Sequence, residues 1–212
     1  MVTNKKYSFS FTGASALTAE TIAIAQEYKR LGNWDEVKKS TNDQNLLKKV
    51  KQATFTREFR EIKKRLELLT DEQLVLLING GPDDIKAMIF VFLLKTYSYL
   101  FDFVTEVIRT KYLLFDNSMM DSDYNRFFNA KALIHAELDQ LSGLTRNKVK
   151  QVIFTFLIQV GLITERTNGL IIKPYLSTES LNVIIQDQPI LLSCFLFSDA
   201  DIRSAIKMIS HD

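Results

Sequence analysis

Arg146, Asn147, Lys148, Lys150 and Gln151 fall within six consecutive positions of the stretch TRNKVKQVIFTFLIQVG, which begins at Thr145. Cations neutralise phosphates and amides hydrogen-bond base edges, so this set at the start of a helix suits contact with nucleic acid. Arg57, Arg60, Lys63 and Lys64 form a second cationic set in TREFREIKKRLELL. Arg166 adds a further cation in ITERTNGLIIK, downstream of the first stretch.

No comparable set points to catalysis. The chain has two histidines, His135 and His211, and one cysteine, Cys194, so no Cys/His cluster offers zinc-ligand spacing. It has no glycine-rich phosphate loop, nucleophile elbow, His-Glu-x-x-His or dinucleotide fingerprint. Asp83-Asp84 and Asp199/Asp201 read as helix-start carboxylates, His135 as a packed or capping histidine, and Cys194, inside ILLSCFLF, as a buried thiol. The expectation is no enzyme, no metal, no cofactor and no small-molecule substrate.

A lone cysteine excludes an internal disulfide framework and fits a reducing cytoplasm. The opening MVTNKKYSFSF has no apolar signal-peptide core. The most membrane-like run, Ala87–Leu94 between Lys86 and Lys95, is far shorter than the roughly 20 residues a spanning helix needs. It reads as a buried core helix in a soluble protein with no membrane partner.

Charge is unevenly distributed. Residues 1–70 carry 14 Lys/Arg against 8 Asp/Glu, whereas residues 71–212 carry 13 against 17. A basic N-terminal third facing a polyanion accounts for that asymmetry, and so does a solvated helix face.

With seven glycines and three prolines the chain is expected to be mainly α. Residues 1–70 read as three helices in a helix-turn-helix-like module. Thr18 caps the first, which stops at Gly32; Asn33 caps the second; the third starts near Thr54 or Thr56. On that third helix Phe59, Ile62, Leu66 and Leu69 share an arc of about 80°. Arg57, Arg60 and Lys64 lie opposite with Lys63 beside them, and Glu61 with Arg65 reads as an exposed i,i+4 pair. Residues 71–120 read as an apolar helical core or connector, nearly unbroken.

Residues 121–212 read as a winged-helix-like module followed by C-terminal helices. DSDYNRFFNAKALI carries an Asp or Ser cap, and AELDQLS is a second short helix ending at Gly143. Thr145 caps the third helix, whose Val149, Val152, Ile153, Phe156, Leu157 and Val160 share one face. Phe154 and Ile158 interrupt the polar face. Leu162–Thr164 and Leu170–Ile172 flank Asn168-Gly169, a strong hairpin signal. Helix, helix, helix, hairpin is the element order of a winged helix, a fold that serves both DNA contact and protein docking.

The sequence also resembles the BrxA family of bacterial BREX phage-defence proteins. The similarity lies in YSFSFTGASAL (7–17), LGNWDEVK, NLL, TREFREIKKRLELLTDEQL, FFNAKA, ELDQLS and TRNKVKQVIFTFLIQVGLI, in order, over about residues 7–176. Ala136 departs from the proline that family members carry before the Glu-Leu pair, which touches only a helix start. The resemblance implies a small, largely helical, cytoplasmic accessory protein associated with double-stranded DNA, and it carries over no catalytic residue. The family's methyltransferase, phosphatase and ATPase partners are separate chains. Two functions follow as expectations: a double-stranded DNA binder using the ten residues above, or an interaction scaffold docking a partner such as the methyltransferase. The scaffold predicts an exposed apolar patch over residues 85–115. RNA binding fits less well, because the aromatics lie in apolar runs and not among cations.

Overall fold

The computed structural model describes residues 6–13 and 16–209; His211 and the Ala14-Ser15 step of the N-terminal motif lie outside that description. The chain is mainly α, with a small antiparallel sheet.

Helix α1 (Thr18–Leu31) ends where Gly32 turns left-handed at φ 68° and donates its N–H to Tyr28 O. Its start corrects the expected cap: Thr18 is already helical, and Leu17 precedes it in a left-handed conformation with no side-chain cap. Asn33 caps α2 (Trp34–Asp43) as expected, its Oδ1 accepting from the N–H groups of Asp35 and Glu36. Helix α3 (Gln52–Leu66) begins earlier than Thr54, again without a side-chain cap. The cap errors share a cause. Both helices begin at or before the polar residue expected to cap them, so that residue is already helical and the first N–H groups have no side-chain acceptor.

Thr70 and Gln73 form a reciprocal capping box on α4 (Asp71–Asn79). Helix α5 (Pro82–Thr96) buries every residue from Ala87 to Leu94. Among the described residues no single helix is long and apolar enough to cross a membrane. The expected near-continuous apolar helix instead bends by 109° at Tyr97. An extended backbone there (φ −122°, ψ 92°) carries the Tyr97 ring against Phe11 and Phe156. The chain resumes as α6 (Ser98–Phe103), widens through a π-helical stretch (Val104–Arg109) and closes with α7 (Thr110–Leu113). Arg109 holds that stretch against the C-terminus by donating to Phe197 O and Asp199.

Strand β1 (Ser118–Met119) leads into α8 (Asp121–Ala132), α9 (Ala136–Asp139), α10 (Gly143–Gln159) and strand β2 (Gly169–Leu170). The start of α8 corrects the expected Asp or Ser cap: Met120 occupies the N-cap, and Asp123 accepts its N–H. After β2 come α11 (Thr178–Asp187), a 3₁₀ segment (Pro189–Phe195) and α12 (Asp199–Ile209). One hydrophobic core runs from Tyr7 to Ala205 through all three sequence segments. Cys194 lies within it, its thiol pushed up by burial.

The N-terminal segment acts as a strap. Tyr7 and Phe11 are buried while Ser8 and Ser10 are exposed. Tyr7 donates its N–H to Glu137 and its hydroxyl to Asp102, and its ring stacks on His135 at 4.0 Å. His135 is thus a packed histidine.

Asp84 joins α5 to α11. Its carboxylate accepts the hydroxyls of Ser177 (2.5 Å) and Ser180 (2.8 Å) and the Gly81 N–H (3.1 Å). The Ser177 hydrogen bond leads in holding this carboxyl below its ordinary value of 3.8. A lowered native value means the stabilisation is complete above the ordinary value and is lost as pH falls through the native one. Asp84→Ala should cost about 2–3 kcal/mol at neutral pH. Thermal melts of wild type and variant should begin to converge only as pH falls below about 4.

Candidate nucleic-acid interface

Ser142, not Thr145, caps α10. Its Oγ accepts the Thr145 N–H at 3.2 Å, so the helix starts at Gly143. The predicted apolar face is buried at Val149, Val152, Ile153, Phe156, Leu157 and Val160. Phe154, which the sequence placed on the polar side, is buried as well, against Phe103 and Tyr124. The outward face is therefore narrow. It exposes Asn147, Lys148 and Gln151, and further along Ile158.

The chain leaves α10 through Gly161 at φ 77° and folds back as the expected hairpin. Ile163 bridges Ile171, Thr164 N–H donates to Leu170 O, and Ile172 N–H donates to Leu162 O. At the Asn168-Gly169 signal, Asn168 is left-handed at φ 55°, and Gly169 is already in β2. A Cβ on Gly169 would lie 2.1 Å from the Glu165 carbonyl oxygen, so close approach requires glycine there. Strand β1, which sequence reasoning missed, pairs with β2 on the side away from the Ile163 bridge. Ser118 and Met119 pair with Leu170 and Gly169, and Ile171 N–H donates to Asn117 O. Two residues are too few to show a strand pattern.

This geometry brings Asn147, Lys150, Gln151 and Arg166 together. With Asp121 and Thr167 they line a groove of about 350 Å³ between α10 and the hairpin turn. Lys150 is tied to Asp121 at 2.9 Å and lies over the Tyr124 ring. Arg146 does not line the groove. Its guanidinium lies over Phe128, donates to the carbonyls of Leu141 (3.0 Å) and Asp139 (2.9 Å), and so clamps the connection between α9 and α10. Lys148 is exposed on α10 but outside the groove lining.

The second cationic set is on α3. Phe59, Ile62 and Leu66 are buried, and Arg57, Arg60 and Lys64 are exposed on the outer face. Lys63 is half-buried over Trp34 and pairs with Glu67 at 3.6 Å. The expected surface pair Glu61/Arg65 is a correction: both are buried. Arg65 Nε donates to the Tyr97 hydroxyl, which donates to Glu61. Burial pushes the Tyr97 phenol far above its ordinary range, so it remains a neutral donor. The structure does not merge the two cationic sets. Helices α3 and α10 both pack on the turn Ser10–Gly13 at the end of the strap, which fixes one relative to the other.

Comparison with known proteins adds three findings. A family model described as BrxA matches residues 5–188. A "BREX protein BrxA" of Bacillus cereus (strain H3081.97) is 27% identical over 116 residues, covering 54% of this chain and 58% of that protein. The match thus spans little more than half of that relative. A crystal structure of an uncharacterized protein from Magnetospirillum magneticum superposes with a TM-score of 0.79 at 18% identity, over 90% of this chain and 98% of that one, and shows the same fold.

Proposed function

This chain belongs to the BrxA family, and from that premise we propose that it is a cytoplasmic, non-enzymatic component of a BREX phage-defence system that binds double-stranded DNA. Residues 121–212 form the winged-helix-like module in this reading. The supporting observation is the sheet order, with β1 beside β2 and Ile171, and Ile163 outermost, in a chain order that places α8, α9 and α10 between the two strands. In that arrangement α10 is the recognition helix and the Glu165–Asn168 turn is the wing. Residues 1–70 form the second, helix-turn-helix-like module, presenting Arg57, Arg60 and Lys64. Residues 71–120 are the connector.

The division of labour follows from which cations are available. Arg57, Arg60, Lys64, Lys148 and Arg166 are exposed and contact phosphate, Lys64 by giving up a long contact to the Ser10 hydroxyl at 3.4 Å. Lys63, paired with Glu67, contributes at the margin. Arg146 holds the helix that the groove depends on, and Lys150 is screened by Asp121.

A docking role for other components of the system, such as the methyltransferase, also has an observation behind it. The apolar surface expected over residues 85–115 shrinks to Leu113, Leu114 and Phe115, with Phe115 91% exposed. That is a small contact and a secondary one. The test is equilibrium binding of the full chain to unrelated duplexes and to single strands of equal length. Salt-sensitive duplex binding is expected; no binding by a folded protein at low salt would leave the docking role alone.

A further inference from the structure

We infer that the groove between α10 and the wing reads adenine edges through the amides of Asn147 and Gln151, with the Lys150 ammonium withheld from phosphate by Asp121. The inference rests on the DNA-binding reading above. Helix α10 begins with three cations within its first eight residues, yet only Lys148 is left unengaged. Arg146 cannot turn into the groove without abandoning two backbone carbonyls. Lys150 is neutralised by Asp121 on the opposite wall. The groove chemistry left on α10 is therefore that of two primary amides. Both are exposed, and neither is engaged by another described side chain.

A primary amide offers one acceptor and one donor side by side. Adenine presents the complementary pair in the major groove, its N6 donor and N7 acceptor. Guanine presents two acceptors, which favour Arg or Lys and leave the amide oxygen facing lone pairs. By engaging Arg146 and Lys150 the structure takes two of the three cations of α10 away from guanine, assigns the exposed Lys148 and Arg166 to phosphate, and keeps the adenine readers. Asn147 and Gln151 are four residues apart on one face, about 6 Å along the helix axis. That spacing corresponds to roughly two base-pair steps.

The experiment is selection from duplexes with a randomised centre, followed by sequencing of the bound fraction, using the full chain. Wild type should enrich adenine at two positions roughly two steps apart. Asn147→Ala with Gln151→Ala should reduce that discrimination by roughly 5- to 100-fold at each position while leaving the melting temperature unchanged, since both side chains are exposed. Asp121→Asn supplies an independent readout. Releasing Lys150 should raise affinity for every duplex and steepen the salt dependence by about one logarithmic unit per decade. Duplex binding with no adenine enrichment, or with enrichment that survives the double variant, overturns the inference and leaves the DNA-binding reading standing. An unchanged salt slope in Asp121→Asn overturns the withheld cation. No duplex binding by wild type overturns both.

Discussion

Arg65→Ala should lower the unfolding free energy by about 3–5 kcal/mol, the largest single-residue effect expected in this chain. Arg65 is fully buried, with its guanidinium over the rings of Phe92, Tyr97 and Phe156. It donates to the Tyr97 hydroxyl at 2.9 Å and to Ala16 O at 3.3 Å. Truncation removes the cation that is linked through the Tyr97 hydroxyl to the buried Glu61 carboxylate and opens a cavity beneath the bend at Tyr97. An uncompensated buried charge is costlier than the pair was stabilising. For a chain of this length the melting temperature should fall by roughly 6–20 °C. Arg65→Lys should recover little, because an ammonium cannot reproduce the planar fork. Arg65→Met with Glu61→Gln should recover more, since removing both charges avoids the orphan. A thermal melt of Arg65→Ala within about 2 °C of wild type would refute this assignment.

Gly169→Ala should be the most damaging change at the hairpin turn. The added methyl meets the Glu165 carbonyl oxygen at 2.1 Å, and a backbone atom cannot swing aside as a side chain can. The turn must open, with loss of the Thr164–Leu170 hydrogen bond and of the pairing to Met119. A cost of about 1–3 kcal/mol is expected. Amide hydrogen exchange should show lost protection at Leu170 and Ile171, whereas α3 and α5 keep theirs. Duplex affinity should fall too, because Arg166 no longer faces Asn147 and Gln151 across the groove. Unaltered protection at Leu170 would show that the turn tolerates a side chain.

The burial of α3 and α10 was legible because an apolar stripe at helical period must face a core. Gly32, Asn33 and the hairpin were legible for similarly local reasons. Three features were not. The sequence spacing of Glu61 and Arg65 is that of a solvated pair, and only Tyr97, a distant residue brought in by a bend, converts it into a buried network. The strap alternates Tyr7, Phe9 and Phe11 with Ser8 and Ser10, a period-two signal that was available but has no partner strand to give it meaning. The sorting of the α10 cations depends on Asp121 and on the carbonyls of Leu141 and Asp139, partners that helical periodicity does not supply. Sequence named Asn147, Lys150, Gln151 and Arg166 together; the groove they share, and the neutralisation of Lys150 within it, came from the fold.

The measurement that bears most directly on the DNA-binding account is fluorescence anisotropy of a labelled duplex of about 30 base pairs, titrated from about 50 to about 200 mM salt. Wild type is compared with a folded variant carrying Arg57→Ala, Arg60→Ala and Lys64→Ala. Five phosphate contacts give a slope of log affinity against log salt near −4.5, and loss of the three on α3 flattens it by about 2.7. A wild-type protein that does not bind, or a variant whose slope matches wild type, would contradict the account.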